Sequence, residues 1–103
     1  MLRTYYLIIR ATPNRKSPLY GKAKGIYANF WVLDETGENA IKRANRYLSK
    51  YGYLPEAVDK EPVETSEEDY NDPEKELALV NFWKAQKLGI AAVFLGWEND
   101  YLS

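Results

Sequence analysis

The sequence contains no cysteine and no histidine among its 103 residues. Without cysteine there is no disulfide scaffold, no thiolate-ligated zinc, no iron–sulfur cluster and no thiol nucleophile. Without histidine the chain lacks the usual general base of Ser-His hydrolases and the side chain that titrates near neutral pH. Carboxylates, tyrosines or lysines remain for acid–base chemistry, but no pattern singles out a catalytic residue. We therefore expect a non-enzymatic domain with no metal and no cofactor.

Long apolar runs are also missing. The apolar segment near the N-terminus, residues 5–9, is far too short to span a membrane, and no small-residue cleavage site follows it. We expect a cytoplasmic protein.

Hydrophobic residues make up 46% of the chain, which is enough for one packed core, so we expect a single domain over residues 1–103. Because so short a chain leaves a large fraction of its surface exposed to solvent, we also expect it to bury apolar surface against a second copy.

Charge is distributed unevenly along the chain. Residues 1–55 contain ten Lys and Arg against three Asp and Glu, a balance of +7, whereas residues 56–103 contain four against twelve, a balance of −8. Such asymmetry is typical of a nucleic-acid-binding face with an acidic tail, but it also arises when the two halves fold together or pair between subunits.

Six elements follow from the residue pattern. A helix begins after the capping residue Thr36 and stops at Gly52, with apolar residues at helical spacing between them. A second helix begins at Pro73 and ends before Gly89. Strands are predicted at residues 4–11, 26–34, 54–64 and 90–97. A loop of residues 12–25, which contains two prolines and two glycines, joins the first two strands.

The order ββαβαβ predicts an α+β fold. We expect a two-layer sandwich, with a four-stranded, mainly antiparallel sheet and two helices on one face, in a ferredoxin-like architecture. The first and last strands are almost continuously apolar, which predicts central positions. The third contains an internal proline and many charges, which predicts an edge. The sequence does not determine the strand order, and no motif identifies a family.

The second face of this sheet is the first candidate functional surface. Alternation in the second strand places Tyr27, Trp31 and Leu33 on a face to which no helix is assigned. The long loop, the tail of residues 98–103 or another subunit must cover it. The second helix has apolar residues around most of its circumference, which is more than one sheet face can bury. The candidate partner interface consists of Tyr27, Trp31, Leu33, Phe82 and Trp83.

The loop before the second strand is the second candidate surface. It is basic and lies beside Tyr20 and Tyr27, a combination that suits phosphate contacts and base stacking. The candidate nucleic-acid contacts are Arg10, Arg15, Lys16, Lys22 and Lys24. The alternative is a solvated loop that balances the acidic segment of residues 64–76, which lacks the ligand order of a calcium-binding loop.

These patterns favour a small cytosolic protein-interaction or regulatory domain that forms a homodimer or binds another protein. RNA or single-stranded nucleic-acid binding through the basic 10–24 loop is the first alternative. A small-ligand-binding domain or a histidine-independent enzyme is the second, and it requires a deep pocket with convergent polar groups. The identity of any partner does not follow from the sequence.

Overall fold

The structure of the protein, a computed structural model, describes residues 1–97. The elements in chain order are β1 (Arg3–Pro13), β2 (Gly25–Asp34), α1 (Gly37–Lys50), β3 (Tyr53–Thr65), two 3-10 turns (Glu67–Tyr70 and Pro73–Lys75), α2 (Glu76–Leu88) and β4 (Ile90–Trp97). The predicted α+β class and the order ββαβαβ are confirmed.

The four strands form one sheet in the order β3-β1-β2-β4, and every neighbouring pair is antiparallel. As predicted, β1 is central and β3 lies at an edge. The prediction that β4 is central is wrong, because β4 forms the opposite edge. The strand is apolar because both of its faces are covered. Ala91 packs with side chains of α2, and Ala92 and Phe94 pack with the cluster that contains side chains of α1.

The prediction that both helices lie on one face is wrong. On one face, α1 packs through Ala44 and Leu48 against side chains such as Phe30. On the other face, α2 packs through Phe82 against Trp31. The central strands are apolar on both faces, so each face needs a cover. The result is three layers, helix–sheet–helix, and the ferredoxin-like label is not confirmed even though the strand order is compatible with it.

Glycines end both helices at the positions that the sequence indicates. Thr36 caps α1 by accepting a hydrogen bond from the Asn39 N–H at 3.1 Å, and Gly52 follows the helix with φ of +90°. Gly89 ends α2 with φ of +88°, and its N–H donates to the Ala85 carbonyl. Such left-handed conformations favour glycine because other residues have a Cβ that clashes there. Each glycine thus turns the chain from a helix into an edge strand.

The loop of residues 14–24 packs on the α1 side of the sheet. The Asn14 N–H donates to the Gly52 carbonyl at 2.7 Å, and the loop then folds into successive turns around the buried Ser17. Leu19 packs against the core on the α1 face. The loop is therefore held by backbone hydrogen bonds and apolar contact, and it does not cover the opposite face.

Candidate functional site

A pocket of about 410 Å³ lies on the α2 face, between the N-terminal end of α2 and the sheet. Its volume falls in the range that small-molecule sites occupy, and its walls are mostly apolar. Glu74 and Lys75 lie at its border. The main lining side chains are Tyr6, Asn29, Trp31, Leu77, Val93 and Leu95. The sequence did not predict it because its walls come from three strands, α2 and the two 3-10 turns.

Tyr6 and Asn29 are two polar side chains that meet in this pocket. They lie on neighbouring strands, and the Tyr6 hydroxyl donates to Asn29 Oδ1 at 2.6 Å. Asn29 Nδ2 in turn donates to the Val93 carbonyl at 3.3 Å. Burial, and secondly the neighbouring Tyr70, raises the pKa of Tyr6 above its ordinary value of about 10. Tyr6 is therefore a neutral phenol at neutral pH, held in one orientation by its amide partner.

A chain of hydrogen bonds supports the wall beside Trp31. Trp31 Nε1 donates to the Tyr70 hydroxyl at 3.0 Å, and Thr65 Oγ1 lies 2.9 Å from both that hydroxyl and Asp69 Oδ2. The Thr65 hydroxyl has one hydrogen, and a carboxylate only accepts. Thr65 thus donates to Asp69 and accepts from Tyr70. The chain fixes the first 3-10 turn against the sheet, and each bond polarises the next.

Asp69, at the outer end of this chain, also accepts a hydrogen bond from the Ser66 N–H at 2.9 Å. This backbone bond, then the Thr65 bond, lowers the pKa of Asp69 below its usual value. The carboxylate is therefore charged at neutral pH, the state in which it accepts both bonds.

The outer surface of α2 carries apolar side chains that nothing in residues 1–97 covers. Leu77 is 64% exposed, and Val80, Trp83 and Leu88 are exposed as well. Leu77 also lines the pocket together with Leu95, so the exposed surface and the pocket are continuous. The sequence-based expectation that one sheet face cannot bury every apolar residue of this helix is confirmed.

The five residues of the predicted partner interface occupy different environments. Trp31 is only 4% exposed and packs with Phe82 inside the α2 layer. Leu33 is half-buried. Tyr27 and Trp83 are exposed, and Trp83 Nε1 donates to Glu67 at 3.2 Å. The expectation that no helix covers the Trp31 face is wrong, because α2 packs on Trp31 and Ala91 and covers the β2–β4 part of this face. The tail proposed as an alternative cover lies outside the described residues.

The predicted nucleic-acid contacts lie at one end of the sheet and in the loop beside it. Arg10 on β1 pairs directly with Tyr27 on β2, so two exposed side chains suited to phosphate and base contact are neighbours. Within residues 1–97 none of the five basic side chains forms an ion pair. The remaining four are exposed residues of the 14–24 loop: Arg15, Lys16, Lys22 and Lys24.

Across residues 1–97, no group of three or more acidic side chains converges as a metal site would require. No helix in that range is long and apolar enough to cross a membrane.

Comparison with known proteins gives no match: no family model fits the chain, and no curated protein or solved structure matches it.

Proposed function

We propose that the protein is a non-enzymatic, cytosolic protein-interaction domain that forms a homodimer through its α2 side. The observation that carries the proposal is the exposed apolar surface formed by Leu77 and Leu95, which continues into the pocket. Exposed apolar surface next to a concave site is typical of protein-binding surfaces.

The size of the chain supports self-association. A chain of 103 residues buries a smaller fraction of its surface than a larger domain does, so the energy gained from shared burial matters more. Each exposed leucine that an interface buries contributes on the order of 1.5–3 kcal/mol at full burial. In a twofold dimer every such contact occurs twice.

The pocket favours binding over catalysis. Two of its polar side chains, Tyr6 and Asn29, are hydrogen-bonded to each other. The raised pKa of Tyr6 makes its hydroxyl a poor general base at neutral pH. The apolar lining suits the insertion of an apolar side chain, in the way that pockets at interface centres receive anchoring residues.

Sedimentation analysis over a wide concentration range tests this proposal. We expect the wild-type protein to dimerise with rising concentration, and Leu77→Lys to weaken the dimer by on the order of tenfold or more, because it places a charge in the contact. The control is Leu54→Lys, which alters a similarly exposed leucine on β3. A strict monomer at the highest concentrations, or an unaltered Leu77→Lys dimer, would contradict the proposal.

A second candidate function is nucleic-acid binding at the end of the sheet. It is supported by the direct pairing of Arg10 with the exposed Tyr27 and by the adjacent loop cations, none of which is engaged in an ion pair within residues 1–97. Affinity for single-stranded RNA should then fall steeply with salt, and Lys22→Glu with Lys24→Glu should abolish it. Salt-independent or undetectable binding would remove this candidate.

A further inference from the structure

The outer edge of β4 is chemically unlike an ordinary exposed edge. Its eight residues, Ile90–Trp97, include no charged residue and no proline. No strand within residues 1–97 pairs with it on the side away from β2. A long, uncharged, apolar edge strand is a template for a further strand, because it presents a row of backbone donors and acceptors.

The register identifies the backbone groups that point outward. The Leu33 N–H donates to the Gly89 carbonyl at 2.9 Å, and the β2–β4 register continues from there without a bulge. Antiparallel strands exchange hydrogen bonds at every second residue. The backbone N–H and C=O groups of Ala91 and Val93 therefore point to β2, whereas those of Ala92 and Phe94 point to the outer edge.

We propose that β4 pairs antiparallel with β4 of a second copy, so that the two sheets become one continuous sheet. This inference rests on the self-association proposed above and specifies its geometry. A second copy fits the edge because antiparallel self-pairing places the same uncharged sequence opposite itself, with no like charges brought together. Twofold symmetry requires such a self-complementary contact.

The position of α2 also favours a second copy of the protein as the partner of the β4 edge. For two antiparallel edge strands in one continuous sheet, the twofold axis is perpendicular to the sheet, so both copies of α2 lie on the same face. On one flank of α2, Phe82 contacts Tyr70 at a ring-centroid distance of 5.9 Å, towards the β3 side of the fold. At 3.6 residues per turn, Leu77 and Leu88 share the other flank. Leu77 on this flank lines the pocket together with Leu95 of β4.

The exposed Leu77 and Leu88 would then meet the partner copy beside the paired strands. The backbone contact and the apolar contact thus occur on adjacent surfaces of one interface.

Amide hydrogen exchange combined with molar-mass measurement tests the proposal. At concentrations where the protein is a dimer, the amides of Ala92 and Phe94 should exchange at least about tenfold more slowly than at concentrations where it is a monomer. The amides of Ala91 and Val93, which bond to β2, should be protected in both states and serve as internal controls.

Two outcomes would contradict different claims. If the mass is that of a dimer while Ala92 and Phe94 exchange as fast as in the monomer, β4 pairing is wrong and self-association stands. If the protein is a monomer at every concentration, both the pairing and the proposed homodimer are wrong.

Discussion

The two edges of the sheet differ in nearly every property that controls edge pairing. Strand β3 contains two prolines and five charged residues in its thirteen positions, and its register with β1 shifts at three places. Strand β4 has no charge and no proline, and its register with β2 is unbroken. Prolines, charges and bulges are the devices that prevent edge-to-edge association. Within residues 1–97, the β3 edge carries these devices and the β4 edge does not.

The largest expected effect comes from removing the protection of β3. Asp59 and Glu61 are exposed charges on this edge. The Asp59→Val/Glu61→Val variant removes two of the five charges of β3 and puts β-branched apolar residues in their place. We expect assemblies larger than a dimer, because two attractive edges build open chains. Light scattering at rising concentration measures this.

The matched control is Asp59→Asn/Glu61→Gln, which removes the same charges but keeps polar side chains on the edge. It should assemble less than the valine variant. If the valine variant has the same mass as the wild type, charge does not protect β3.

The next effect compares the two glycines that lead into the edge strands. A Cβ at Gly52 would lie 2.7 Å from the Ser17 backbone nitrogen, whereas a Cβ at Gly89 would meet only the far end of the Arg43 side chain, at 2.9 Å. Both positions have positive φ. We expect Gly52→Ala to lower the free energy of unfolding by about 2–4 kcal/mol and Gly89→Ala by about 1–2 kcal/mol.

Urea denaturation measures both glycine variants. Equal losses would mean that the loop of residues 14–24 yields to the added methyl group. Equal losses would contradict the expectation that the loop backbone at Lys16 and Ser17 resists displacement by a Cβ at Gly52.

A smaller effect is expected in the hydrogen-bond chain that joins the end of β3 to the α2 layer. Tyr70→Phe removes the hydroxyl that accepts from Trp31 Nε1, which leaves a buried donor without its partner. We expect a loss of about 1–2 kcal/mol in the free energy of unfolding. Tyr20→Phe, at an exposed tyrosine of the loop, is the control and should have almost no effect. Equal free energies of unfolding for the two variants would contradict a stabilising role for this chain of hydrogen bonds.

The smallest effect concerns the pH dependence of Asp69. Because folding lowers the pKa of this carboxyl, its contribution to stability is fully present above the unfolded value of about 3.8 and is lost as the pH falls through the lower folded value. The difference in thermal midpoint between wild type and Asp69→Asn should therefore shrink in acid. A difference that stays constant from neutral to strongly acidic pH would contradict this assignment.

Much of the fold could be predicted from local patterns. Some residues set helix ends and strand edges through local backbone geometry, so the sequence alone reveals them. They are Thr36, Gly52, Gly89 and the prolines of β3. The layering could not be predicted in this way. Continuous apolarity in β4 indicates burial on both faces, but it does not distinguish a central strand from an edge strand covered by two helices.

The candidate site was predictable only in part. The excess of apolar residues on α2 indicated that some of them stay exposed, and this is confirmed. The pocket depends on the meeting of Tyr6, Asn29 and Leu95 from three strands, and that meeting depends on the strand order. Burial of Trp31 under Phe82 likewise required knowing that α2 lies on its face.

The most direct test of the contrast between the edges is the molar mass of two matched variants. Leu95 on β4 is 57% exposed and Leu54 on β3 is 56% exposed, so Leu95→Lys and Leu54→Lys place the same charge on the two edges at equal exposure. At concentrations where the wild type is a dimer, we expect Leu95→Lys to fall to the monomer mass of 11.9 kDa and Leu54→Lys to remain a dimer. Equal masses for the two variants, or dissociation of Leu54→Lys alone, would contradict the account.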